Sequence, residues 1–215
     1  GTGAPLREST DSEVISNEEP SPLFAFFEEA ERVSSKSLTI NLMPDPSPSW
    51  LLQFRYCLKN VTSVNSLTLA INMYSDTGSS WSYELGKALA ESTSLKSLTL
   101  AISIYSDTGS LWAYDLGKAL AESAPLSSVT LAINIYSDTG SFCTHQLGKA
   151  LAESTSLKSL TLAINIYSDT DSFWPYNLGN ALDKSTSLNS VTLAINIYID
   201  TGSPLLYELG KALAE

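Results

Sequence analysis

Five copies of one short motif, Ser-Leu-Thr-Leu-Ala or Ser-Val-Thr-Leu-Ala, stand 31 residues apart in this chain. They begin at Ser66, Ser97, Ser128, Ser159 and Ser190. A more divergent copy begins at Ser37, and its unit is two residues shorter. The sequence therefore predicts six units over residues 37–215, starting at 37, 66, 97, 128, 159 and 190. Because a unit of this length cannot bury its own apolar side chains, each is expected to pack against its neighbour.

Each unit has two halves with different hydrophobic periods. In residues 98–104, large apolar residues occupy every second position, which is typical of a strand. Further along the same unit, Trp112, Leu116 and Leu120 have the spacing of one helix face. One strand and one helix per unit predict an α/β solenoid with a parallel sheet lined by helices. Helices are wider than strands, so the stack should curve with the sheet on its inner side.

The repeat resembles a known family. Leu157, Leu160, Leu162, Asn165 and Tyr167 fill the pattern Leu-x-x-Leu-x-Leu-x-x-Asn-x-Tyr, which resembles the leucine-rich repeat of the ribonuclease-inhibitor type. The resemblance implies a horseshoe of about six units, with the sheet on the concave side and the helices on the convex side. The flavour "LTLAINIYSD" is similar to the C-terminal repeats of invertebrate NACHT–leucine-rich-repeat receptors. In that family the horseshoe binds a protein ligand or holds the receptor inactive.

The recurring asparagine leaves two registers open. In one, the strand is long and buries both Ile102 and Ile104, which turns the asparagine row outward. In the other, the asparagines form an internal ladder that bonds to the backbone. We expect the internal ladder, since buried and satisfied amides would explain why the residue recurs. Its members are Asn72, Asn134, Asn165 and Asn196, with Ser103 in place of the remaining one.

Two surfaces are candidates for binding a protein ligand. The first is the sheet's inner face, a small and neutral surface represented by Thr68, Thr99, Thr130, Thr161 and Thr192. It shows none of the Trp, Tyr or Arg anchors that dominate binding energy. The second is the rim where each helix begins, at which units differ, as at Leu111, Phe142 and Phe173. Drift at solvent-facing positions would produce the same differences.

An aspartate row precedes the helices, at Asp76, Asp107, Asp138, Asp169 and Asp200. We interpret these residues as loop and helix caps, which also suit the positive end of a helix. A binding edge for a divalent cation is the alternative, because carboxylates are hard oxygen ligands. The recurring Gly-Lys-Ala-Leu string has neither the glycine spacing nor the Ser or Thr of a phosphate-binding loop. We therefore predict no catalytic residues, no metal and no cofactor, and expect that the protein is not an enzyme.

Charge narrows the classes of partner. The formal net charge is −11, which disfavours nucleic acid and anionic membrane surfaces and favours a basic protein. Cys57 and Cys143 lie three units apart, too far for a disulfide. We interpret both as buried free thiols of a cytoplasmic protein.

The two ends of the chain complete the predicted domain organisation. Residues 1–20 are acidic and rich in Ser, Thr and Pro, and are predicted to be a flexible tail. Residues 21–36 are predicted to form an N-terminal capping helix. The last unit has no cap in this sequence, so the chain could be a fragment of a longer protein, or this end could close by self-association.

The leading hypothesis is the sensing or autoinhibitory repeat region of an intracellular NACHT-type immune receptor. The alternative is a free-standing inhibitor or scaffold that binds a basic protein. An enzyme or metal-binding protein is the third class, for which the sequence offers no motif.

Overall fold

The computed structural model describes residues 12–16, 23, 25, 27, 28, 35–41, 48–62, 64–73, 80–105, 111–137, 140–168 and 174–198. Its strands are β1 (Ser12–Ser16), β2 (Ser35–Asn41), β3 (Ser66–Met73), β4 (Ser97–Ile104), β5 (Ser128–Ile135), β6 (Ser159–Ile166) and β7 (Ser190–Ile197). They form one parallel sheet in chain order, β1 to β7. A parallel sheet with this order is consistent with a repeat solenoid.

Helices connect successive strands along the described part of the chain. They are α1 (Pro48–Asn60), α2 (Ser80–Ala90), α3 (Leu111–Ala121), α4 (Gly140–Ala152) and α5 (Trp174–Asp183). The predicted alternation of strand and helix is therefore confirmed, and the chain is an α/β protein. Each helix presents an apolar face to the sheet; in α3 that face buries Trp112, Leu116 and Leu120, as the spacing predicts.

Identical positions of neighbouring units pair across the sheet. Leu100 pairs with Leu131, and Leu131 pairs with Leu162. Each regular strand is eight residues long, and in β4, β5 and β6 side chains alternate between half-exposed and buried. Because equivalent residues have equivalent neighbours, the same side-chain contacts recur from one unit to the next.

The register differs from the one that we expected. Ile102 and Ile104 are both buried, and strand alternation then places the intervening residue on the opposite face. Asn134 and Asn165 are accordingly half-exposed. The internal asparagine ladder is therefore wrong, because the strand continues through the second isoleucine instead of ending before it. The asparagine row lies on the face that points away from the core.

Gly86 and Gly117, each in a Gly-Lys-Ala-Leu string, allow neighbouring helices to approach closely. A Cβ atom added to Gly117 would lie 2.7 Å from Ala150 Cβ and 3.1 Å from the Leu147 carbonyl oxygen. Gly86 has the same relation to Ala119 at 2.7 Å. In these two strings, glycine on one helix accommodates alanine on the next.

Serine residues form hydrogen bonds in the turns that lead from α2, α4 and α5 to the next strand. The Leu157 N–H donates a hydrogen bond to Ser154 Oγ at 3.0 Å, and Ser156 Oγ donates to the Ser123 carbonyl at 2.8 Å. The equivalent bond of the next unit runs from Ser187 Oγ to the Ser154 carbonyl at 2.7 Å. Ser94 Oγ also donates to a carbonyl of the preceding unit, that of Val64, at 2.7 Å. The second kind of bond crosses between units, so these hydroxyl groups tie each turn to the preceding one.

The N-terminal region departs from the predicted domain organisation. Residues 12–16 form β1, which pairs with β2 through contacts such as Val14 with Thr39. The flexible-tail prediction is wrong for these five residues, because their backbone groups pair with a sheet edge; the rest of 1–20 lies outside the described residues.

The capping-helix prediction for 21–36 holds in part. Leu23, Ala25, Phe27 and Glu28 are helical. Leu23 and Phe27 belong to the core, and the Phe27 ring meets Phe54 edge-on at 6.0 Å. The helical region precedes β2, which already begins at position 35, and β1 lies beyond β2. These helical residues therefore connect two strands rather than closing the end of the sheet.

Candidate interaction face

One face of the sheet points away from the buried leucines and isoleucines, and we call it the outward sheet face. In β4 to β7 and the residue after each strand, it repeats the order Ser, Thr, Ala, Asn (Ser in β4) and Tyr. Each row runs across the strands, so side chains of the same type from successive units lie next to one another. None of these five positions in β4 to β7 holds a charged residue, and the face is therefore polar but neutral.

The asparagines of this face form a hydrogen-bonded amide ladder. Asn196 Nδ2 donates to Asn165 Oδ1 at 3.0 Å, and Asn165 Nδ2 donates to Asn134 Oδ1 at 2.9 Å. Asn134 Nδ2 donates to Ser103 Oγ at 3.3 Å. Asn72 lies opposite Ser103 in the strand register. Three of the predicted ladder residues, Asn134, Asn165 and Asn196, do associate, but through their own amides and on the outer side of the sheet.

Beside the amides lies a tyrosine ladder, made of Tyr105, Tyr136, Tyr167 and Tyr198. Successive ring centroids are 4.9, 4.7 and 4.7 Å apart, and the ring planes differ by 3°, 6° and 5°. The side chains are 41%, 41%, 42% and 61% exposed. The ladder therefore presents ring edges and hydroxyl groups to solvent, while most ring faces are covered by neighbouring rings.

These tyrosines were not predicted to be part of the face, which was expected to have no Trp, Tyr or Arg anchors. The signal was present, because Asn-x-Tyr has the period of two that places both residues on one side of a strand. Because the asparagines were expected to point inward, the tyrosines two positions later were expected to point inward as well.

The surroundings of Tyr167 in the tyrosine ladder disfavour its ionisation. Tyr167 has its pKa raised, chiefly by partial desolvation, and further by the charges and the hydrogen bond of neighbouring tyrosines. Tyr136 and Tyr198 are those neighbours. A phenolate at Tyr167 is thus disfavoured, which keeps this side chain in its neutral, hydrogen-bonding form.

The other predicted residues fall into three groups. Thr68, Thr99, Thr130, Thr161 and Thr192 form one row of the outward sheet face and are half-exposed or exposed. On the predicted rim, Leu111 is 59% exposed at the start of α3, and Phe142 lies in α4. Outside the described residues lie Phe173 and the whole aspartate row, Asp76, Asp107, Asp138, Asp169 and Asp200.

A groove of about 610 Å³ opens between α4 and α5 on the helix side. Its polar lining includes His145, Lys149, Glu153, Asn177, Asn180 and Lys184. Here a Cβ atom on Gly148 would meet the end of the Leu178 side chain, whereas the corresponding glycines of α2 and α3 face an alanine. Burial lowers the pKa of His145, and the charge of Lys149 lowers it further.

Both cysteines are buried free thiols, as predicted. Burial raises the pKa of Cys57 to about 11. Within the described ranges, no three His, Cys, Asp or Glu side chains are grouped so that they could hold a metal ion. No helix in the described part of the chain is both long and apolar enough to cross a membrane.

Neither a scan against models of protein families nor a search of curated proteins finds a match to this chain.

Proposed function

We propose that this chain is a leucine-rich-repeat protein of the ribonuclease-inhibitor type and that it acts as a non-catalytic protein-recognition module. The proposal includes a horseshoe of about six units with the outward sheet face on its concave side. The observation that supports it is the combination of an exposed tyrosine ladder and an exposed amide ladder on one broad, neutral face.

The chemistry of this face suits a protein ligand. Tyrosine is one of the residue types that contribute most to binding energy at protein interfaces. Stacking restrains the side chains of Tyr136 and Tyr167 before a ligand arrives, so less conformational entropy is lost on binding. The amides and hydroxyl groups add hydrogen-bonding capacity, with donors and acceptors that a partner backbone could use.

For the parent protein, we propose the sensing or autoinhibitory repeat region of a cytoplasmic NACHT-type immune receptor. This form of the proposal rests on the resemblance of the repeats. The flanking sequence of the intact gene tests it: an upstream nucleoside-triphosphatase domain is expected. If the gene encodes none, the receptor role is refuted, while the recognition role is left to the binding experiment below.

A free-standing inhibitor or scaffold for a basic protein is the alternative, favoured by the net charge of −11. The outward sheet face carries no charge at its repeated positions in β4 to β7, so an electrostatic partner would bind elsewhere on the molecule. Its binding should weaken steeply as salt is raised from low to high concentration, because screening shortens the range of surface charge. Binding through the neutral face should change little over the same range.

The recognition role is tested by comparing two tyrosines of equal exposure. Tyr136 lies in the ladder and is 41% exposed, whereas Tyr83 lies on α2 and is 40% exposed. The chain is immobilised and exposed to an extract of the source organism. Mass spectrometry identifies the proteins that it retains, and these are purified for affinity measurement. Tyr136→Ala should lower the affinity at least about tenfold, the usual effect of removing an interface hot spot. Tyr83→Ala should leave it unchanged. Equal losses in the two variants, or no retained protein, would refute binding by this face.

A further inference from the structure

The tyrosine ladder also brings together groups that react with one another. Its four phenol rings lie nearly parallel at centroid distances of 4.7 to 4.9 Å, and their hydroxyl-bearing side chains are at least 41% exposed. Each ring belongs to a different unit, so a covalent bond between two rings would join successive turns of the protein.

We propose that the tyrosine ladder is a modification site at which one-electron oxidants, such as a peroxidase supplied with hydrogen peroxide, form dityrosine cross-links between adjacent units. This inference is independent of the proposed function, since it depends only on the spacing, orientation and exposure of the rings.

The reaction balances with hydrogen peroxide as the oxidant. Each of two phenols gives up its O–H hydrogen as one electron and one proton, leaving two phenoxyl radicals. The radicals join through a carbon–carbon bond between their ortho positions. The hydrogens on these two carbons then move to the phenolic oxygens, which restores both aromatic rings. The two electrons and two protons reduce one hydrogen peroxide to two water molecules.

Geometry decides which tyrosines couple. Neighbouring ladder tyrosines are held one strand spacing apart, so the second ring is present at a high effective concentration. Rings two units apart, such as Tyr136 and Tyr198, are separated by another ring, that of Tyr167. Coupling should therefore join neighbours and not alternate members. Tyr83 is about as exposed as the ladder, but within the described residues it is placed against Lys87 instead of another ring.

Two double variants separate adjacency from the mere presence of tyrosine. Tyr105→Phe with Tyr198→Phe leaves the adjacent pair Tyr136 and Tyr167. Tyr105→Phe with Tyr167→Phe leaves the alternate pair Tyr136 and Tyr198. Both variants keep four stacked rings and two ladder phenols, because phenylalanine preserves the ring but has no hydroxyl group to oxidise. Circular dichroism verifies that each retains the fold of the wild type.

The full chain is oxidised at high dilution, and the monomer band is isolated and digested with trypsin. Lys118, Lys149 and Lys184 separate the ladder tyrosines into different peptides. A cross-link therefore appears as two joined peptides whose mass is two hydrogen atoms below their sum, together with dityrosine fluorescence.

The adjacent pair should give at least about tenfold more of this product than the alternate pair, as expected when proximity controls coupling. Equal yields from the two variants would overturn the proposal. It would also be overturned if wild-type cross-links occurred only between different molecules. The same holds if Tyr83, or Tyr56, which is 62% exposed on α1, formed cross-links as readily as the ladder tyrosines.

Discussion

Gly117→Ala tests whether close helix packing is what holds successive units together. Two effects oppose each other in this variant. Alanine is the better helix former by about 1 kcal/mol, which alone would stabilise α3. Against this, the new Cβ atom would lie 2.7 Å from Ala150 Cβ, which is too short for two carbon atoms that are not bonded to each other. Ala150 cannot move aside by rotating its side chain, so the two helices must separate. Overpacking of this kind costs about 1–3 kcal/mol, and we expect a net loss of up to about 2 kcal/mol.

Gly148→Ala is the matched control, since it occupies the same position one unit later. Its new Cβ atom would meet only Leu178 Cδ1, at 2.5 Å, and this atom can move by a change of rotamer. The control should therefore be neutral or stabilising by up to about 1 kcal/mol. Urea denaturation followed by circular dichroism compares the two variants. In the Ala150→Gly background, Gly117→Ala should cost much less than it does in the wild type, because the atom that clashes is absent. If both glycine variants shift the midpoint alike, or Gly117→Ala costs as much in the Ala150→Gly background as in the wild type, the packing explanation fails.

Three further predictions concern other parts of the molecule. Asn165→Ala removes one donor and one acceptor from the amide ladder and should lower the free energy of unfolding by about 1 kcal/mol; an unchanged urea midpoint would show that the ladder contributes nothing to stability. Burial lowers the pKa of His145 below 6.5 in the folded protein, so the unfolded chain binds the proton more tightly. The free energy of unfolding should therefore be highest above pH 6.5 and fall as the pH decreases through the folded-state pKa. His145→Tyr, which introduces the residue found at this position in four other units, should reduce that loss, and an identical pH profile in both proteins would contradict the assignment. Cys57, with its pKa raised from 9.0 to about 11, should react with iodoacetamide roughly a hundredfold more slowly in the folded Cys143→Ala protein than in urea; similar rates would indicate an accessible thiolate.

The secondary structure could be predicted because the two halves of each unit have different hydrophobic periods. A period of two in residues 98–104 and the helical spacing of Trp112, Leu116 and Leu120 correspond to β4 and α3. The parallel pairing of strands from successive units follows from the same repetition, and residues 31 positions apart pair across the sheet. These features depend on local pattern, which a single sequence displays directly.

The position of the strand ends could not be predicted in the same way. Ile102 and Ile104 were compatible with a long strand or with a short one followed by an internal amide row. The choice depends on whether amides find partners in the backbone or in each other, which is a property of neighbouring units in space. Strand β1 was missed for a related reason: "SEVIS" is short and polar, and it forms a strand by pairing with β2.

The repetition of the amide ladder has a consequence for any rigid ligand that reads it. Because the same side chains recur in every unit, the face offers several equivalent binding positions. A ligand shifted by one unit would contact the same groups. Ser103 interrupts this sameness, since it stands among asparagines and accepts the longest bond of the ladder, 3.3 Å from Asn134 Nδ2. The Ser103 hydroxyl group therefore distinguishes the binding position at β4 from those at β5, β6 and β7.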